Sequence, residues 1–159
     1  MPTITKKHIG DQQFGGFTPY GNITNYRATL QTTATGAVAD SDSSAQAAVN
    51  DVIRLQKMPA GYELQDAQII ISDHFGAGVT GSLGFLYADG VDSSDVAQDA
   101  AYFGAGLVLS AAARLRTASS KVPVKLPKEA YLVLTVTGAA VAEVGRADFI
   151  VSGERFGPK

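Results

Sequence analysis

The chain has 159 residues, enough for one domain, and a chain of that length buries about 70% of its unfolded surface. Its charged fraction is 18%, its net charge is −2 and it has no cysteine. These values exclude a disulfide framework, a thiol nucleophile and a cysteine-ligated metal. They also argue against nucleic acid, whose binders carry a basic stripe; Lys6 and Lys7 are the only adjacent basic pair.

Charge is sparse against the roughly 25% of an average protein. That suits a chain that works packed against others, and equally a compact β domain with a polar, uncharged surface. No stretch approaches the roughly 20 apolar residues of a membrane helix. The start, "MPTITKKHIG", lacks the apolar core of a signal peptide. The expectation is a chain made and used without export, with no membrane partner, in a reducing cytoplasm.

Residues 1–24 hold Gly10, Gly15, Gly16, Gly21, Pro2 and Pro19 and show no sustained period. They read as an extended N-terminal arm ahead of a single β-sandwich domain, 25–159. Within the arm, "FGGFTPYGN" places Phe14, Phe17 and Tyr20 at every third position, without a charge. That spacing fits neither the strand period of 2 nor a helix broken by two glycines and a proline.

A first strand follows at 25–33, rich in β-branched and aromatic residues. Residues 34–50 are small and polar and read as a long loop, with room for a short helix over 44–49 capped by Ser43 or Ser44. In 51–64, Val52, Arg54 and Gln56 alternate with Ile53 and Leu55 before a turn at Pro59-Ala60-Gly61. In 64–73, Leu64, Asp66, Gln68 and Ile70 oppose Gln65, Ala67, Ile69 and Ile71, and the isoleucine run implies cover on both faces. In 79–90, Leu83, Phe85 and Tyr87 share a face, and Asp89-Gly90 ends the strand with turn chemistry.

Residues 91–117 are alanine-rich, which favours a helix, but Gly104 and Gly106 interrupt it. The reading is one helical turn over 95–102 and then a strand over 107–116, with Leu107, Leu109, Ala111, Ala113 and Leu115 on one face. In 121–139, Val122, Val124 and Leu126 alternate around two prolines, and Leu132, Leu134 and Val136 then oppose Tyr131, Val133, Thr135 and Thr137. A last strand over 145–156 puts Ala147, Phe149 and Val151 inward. Seven or eight short strands with little helix imply an all-β fold. Their lengths suit a jelly-roll-like antiparallel β-sandwich, with an Ig-like sandwich as the alternative.

Chemistry is sparse. His8 and His74 are the only histidines; His74 follows Asp73, half of an acid–base pair at best, and an ordinary loop histidine is the simpler reading. None of the nucleophile-elbow, zinc-helix or phosphate-loop motifs occurs. Gly104 and Gly106 begin a dinucleotide fingerprint that fails at Leu109. The acidic runs around Asp40 and Asp42, and around Asp89, Asp92, Asp95 and Asp99, hold several carboxylates without the order of a calcium loop. They read as solvated turns with no metal, and no cofactor is implied. A sugar-binding module is the second hypothesis, but it lacks tryptophan, the best stacking residue.

The phrases "YRATLQTTATGAVADSDSSAQAAVNDVIRLQKMPAGYELQDAQIIISD", "LGFLYADGVD", "QDAAYF" and "ADFIVSGERFGPK", in that order, resemble the capsid decoration, or cement, proteins of tailed, podovirus-like bacteriophages. The resemblance runs from about residue 22 onward. It implies a jelly-roll-like domain bound outside an HK97-type head and assembled in the host cytoplasm. The implied partners are the major capsid protein and the chain itself, as a homodimer or homotrimer. It also implies a structural role with no catalysis. Candidate contact residues are Phe14, Phe17 and Tyr20 in the arm, Tyr26 near the start of the first strand, and Asp40, Asp42, Asp89 and Asp92 in the loops.

Overall fold

The computed structural model describes residues 3–6 and 23–155. Ten strands run β1 (Thr3–Thr5), β2 (Ile23–Gln31), β3 (Val52–Met58), β4 (Tyr62–Asp73), β5 (Val79–Tyr87), β6 (Asp99–Val108), β7 (Ala113–Arg116), β8 (Val124–Lys125), β9 (Ala130–Gly138) and β10 (Arg146–Arg155). There is no helix among the described residues.

One sheet has the order β1-β3-β9-β5-β6; the other has β2-β10-β4-β7, with β8 also on β4. Without the short β1 and β8, two four-stranded sheets remain, and every pairing within them is antiparallel. Their interleaved order is that of an eight-stranded jelly roll. Between the sheets lies one core of buried aromatic and aliphatic side chains, among them Phe85, Phe103, Phe149, Tyr62 and Leu134.

The alternating runs behave as the period-2 pattern dictates. Ala147, Phe149 and Val151 are fully buried, as are Leu132, Leu134 and Val136. Bulges break the alternation in β3 and β4. In β4, Ser152 faces Asp66 while Gly153 faces Leu64, so Gln65 is an extra residue. The strand therefore turns Tyr62 and Leu64 inward before Gln65, and Ala67, Ile69 and Ile71 inward after it. The unbroken alternation expected for 64–73 is corrected at that point: Leu64 is buried, and Ile70 lies on the opposite face. Leu55 plays the same part in β3, where Arg54 faces Val133 and Gln56 faces Leu132. Ser72 is passed over between Ile71 and Asp73.

Two local expectations are overturned. Residues 94–96 form bends, and the chain then enters β6 at Asp99, so the alanines at 100 and 101 are strand residues. Gly104 and Gly106 take φ of 155° and 64°, conformations an alanine-rich helix does not allow. The single strand expected over 107–116 is two, β6 and β7, parted at residues 109–112, and Ala111 is exposed. The 44–49 helix is also absent. Ala37 and Gln46 form an isolated bridge there, and Ala47 N–H donates to Gly36 O at 3.0 Å.

The third departure is at the chain start. Thr3–Thr5 pairs parallel with Val52–Arg54 of β3, and Ile4 is buried. This part of the expected arm belongs to the sandwich. The sheets are bridged at both lateral sides. On one side the Lys6 ammonium donates to Thr29 O of β2. On the other, Ala118 N–H donates to Phe103 O at 2.9 Å and the Ser119 hydroxyl to Tyr102 O at 2.6 Å. Covered edges keep a β protein from pairing indiscriminately.

Candidate contact surfaces

The expected contact residues fall into three groups. Phe14, Phe17 and Tyr20 lie outside the described residues. The segment that holds them, 7–22, starts where β1 leaves the edge of one sheet and ends where β2 enters the edge of the other.

Tyr26 is half-buried and meets Tyr62 edge-on, with centroids 4.9 Å apart. Burial raises its phenol pKa, and Arg155 offsets part of that. The ring is packed against its own core. The Tyr62 hydroxyl donates to Thr24 O at 2.7 Å and to Val151 O at 3.2 Å. One phenol thus ties three strands together.

The acids have structural work. Asp42 accepts from Thr5 N–H at 2.8 Å, and its own N–H donates to Thr5 O at 2.9 Å. It clamps β1 to the 34–50 loop. Asp40 is exposed, with φ of 54°, and its charge acts on Lys6, whose pKa burial lowers. In the β5–β6 loop, Lys128 donates to both Asp89 oxygens, at 2.7 and 3.0 Å, and the Val91 N–H adds a third bond at 3.0 Å. Those bonds hold the Asp89 carboxyl below the usual range. Asp92 accepts from the N–H groups of Gln98 at 2.7 Å and Ser93 at 2.8 Å, which lowers its pKa too. Asp92 therefore shapes the loop, while Asp95 beside it is exposed.

A groove of about 340 Å³ opens behind that loop, lined by Phe85, Val96, Tyr102, Val122 and Val124, with Asp99 and Lys121 paired at its rim. His74 is exposed and accepts from Gly76 N–H at 3.3 Å, with Glu143 3.2 Å away. The described aromatics are buried or half-buried. The half-buried Tyr131 already carries the Arg54 guanidinium over its ring, 4.8 Å from the centroid.

The outer face of the β2-β10-β4-β7 sheet escaped the sequence reading. Arg27 and Arg146 approach Asp148 at 3.1 and 4.0 Å. Arg116 pairs with Asp66, and Arg114 donates to Gln68 at 3.3 Å. Burial alone would raise the Asp148 carboxyl, but Thr29 and Arg27 outweigh it and hold it below the usual range. Asp66 is lowered in the same way, with Thr117 and Arg116 overcoming burial. The one sequence signal for this face was the alternation of Arg114 and Arg116; Arg27 and Arg146 join them only through pairing across the sheet.

No family model and no curated protein matches the sequence. The fold does have solved counterparts. A chain in the "Capsid of Ralstonia phage GP4" superposes with a TM-score of 0.69 at 14% identity, covering 98% of this chain and 99% of that one. A chain in the "Acidic stable capsid structure of Helicobacter pylori bacteriophage KHP30" gives a TM-score of 0.49 at 15% identity, over 82% and 87% of the two chains. At these identities the likeness is one of fold, and the first comparison carries it.

Proposed function

We propose that this chain is a capsid protein of a tailed phage, and specifically a decoration protein that cements the outside of an HK97-type head. The observation that carries the reading is the end-to-end correspondence with a chain of a phage capsid, 98% of one and 99% of the other. A jelly roll bridged between its sheets on both sides suits the task, because a cement must bear load between shell subunits without opening. Its partners are the major capsid protein and its own copies.

The 7–22 segment supplies adhesive side chains. Phe14, Phe17 and Tyr20 can each contribute about 1.5–3 kcal/mol on burial, and the entropy lost on binding offsets much of it. Many weak grips on one shell multiply through avidity. The packing of the described aromatics into the molecule's own core favours protein contact over sugar stacking, which needs exposed ring faces.

The test is re-decoration of stripped heads. The chain should bind the outer surface to a saturating copy number set by the shell's symmetry. A variant with residues 7–22 replaced by a glycine–serine linker of equal length should bind far less while keeping its thermal stability. Because residues 3–6 are part of the sandwich, deleting 1–22 outright would confuse lost adhesion with lost folding.

A further inference from the structure

The outer face of the β2-β10-β4-β7 sheet gathers four of the chain's six arginines, and these four strands carry no lysine. Pairing sets Arg27, Ile150, Gln68 and Arg116 in one row, and Thr29, Asp148, Ile70 and Arg114 in the next. With strands about 4.8 Å apart, each row is about 14 Å wide. Half-buried Ile70 and Ile150 form its middle, and the arginines flank them. The Arg27 and Arg116 side chains are 63% and 70% exposed.

Four guanidiniums face three carboxylates, Asp66, Asp148 and Asp73, the last opposite Arg146 across the sheet, which leaves a net charge of +1. Beyond them lie Glu63, Glu154 and Lys125 at one end, so the positive charge is confined to the middle. An apolar centre flanked by arginine, in rows without lysine, is the composition of a protein interface.

The same chain carries the complement. In the β5–β6 loop, Lys128 neutralises Asp89 and Lys121 neutralises Asp99, which leaves Asp92 and Asp95 as a net charge of −2 beside Val91, 62% exposed. This loop joins strands of the opposite sheet, so it meets the arginine band only on another molecule. We propose that the β5–β6 loop of one copy docks on the arginine band of a second, with Val91 against Ile70 and Ile150 and with Asp92 and Asp95 among the guanidiniums. The contact is head-to-tail, and such contacts close into rings when the rotation allows. It concerns copies of this chain alone, so it stands or falls without the shell reading.

The test uses sedimentation of the purified chain at about 50 and about 500 mM salt, which shortens the screening length roughly threefold. The wild type should associate at low salt and at least tenfold more weakly at high salt. Arg114→Glu alone and Asp95→Lys alone should each give monomers, and an equimolar mixture of the two should associate again, since each now presents the charge the other lacks. Because the chain has no cysteine, Val91→Cys with Ser152→Cys should give covalent oligomers on oxidation. A wild type that stays monomeric, a single variant that associates as the wild type does, a mixture that stays monomeric, or a disulfide formed only within one chain overturns the proposal.

Discussion

Ile4→Ala separates the two parts of the chain start. Ile4 is 2% exposed and sits on a three-residue strand that pairs with β3. Truncating a buried isoleucine costs about 2–5 kcal/mol. An edge strand can settle into the space left, so the lower part of that range applies, about 2–3 kcal/mol. For a chain of this size each kcal/mol moves the melting temperature by roughly 2–4 °C. The expected fall is therefore roughly 4–12 °C, read by circular dichroism or calorimetry. Asp42→Ala, which removes the acceptor for Thr5 N–H, should lower it further in the same direction. A melting temperature within about 1 °C of wild type for Ile4→Ala would refute the assignment of β1 to the sandwich.

Other variants probe the core and the arginine band. Tyr62→Phe removes the hydroxyl that bonds Thr24 O and Val151 O, and should cost about 1–2 kcal/mol in urea unfolding with the m-value unchanged. Asp148→Asn keeps the shape and discards the charge. At pH 7 it should cost about 1–2 kcal/mol through its bonds to Thr29 and Arg27. The folded Asp148 pKa lies below its unfolded value, so the wild type's advantage is complete above that unfolded value, about 3.9. The advantage is lost as pH falls through the lower folded pKa, where the two melting curves should converge. Gly36→Ala should unfold the 34–50 loop or the whole domain, because the added Cβ would stand 1.8 Å from Val141 O at φ of 76°.

Much of the sandwich was legible because its strands alternate and a buried face enforces the alternation. Leu83, Phe85 and Tyr87, or Ala147, Phe149 and Val151, identify themselves. What escaped has a physical reason in each case. The bulges at Gln65 and Leu55 invert a strand's faces midway, and no local pattern marks an extra residue that only the partner strand reveals. Residues 95–102 read as a helical turn because alanine's propensity is intrinsic, while the β5 pairing that overrides it is tertiary. β1 is three residues long, too short to show a period.

The contact residues were less legible. Asp42, Asp89 and Asp92 look like free acids in the sequence, yet the chain uses each to hold its own backbone or a lysine. Tyr26 faces inward because the β2 residues that line the core fall at 26, 28 and 30. The arginine band needs four strands to assemble, and its cross-strand pairs are far apart in the chain: Arg27 and Asp148 by 121 positions, Arg116 and Asp66 by 50.

The central claim is that this jelly roll cements the outside of a phage head. Its most direct test counts copies on particles: heads stripped of the chain, incubated with the purified protein and imaged by cryo-electron microscopy. The account predicts ordered density on the outer surface at every equivalent site of the shell, with those particles withstanding heat or osmotic shock that empties bare heads. A few copies at a single vertex, or saturated heads no tougher than bare ones, would contradict it.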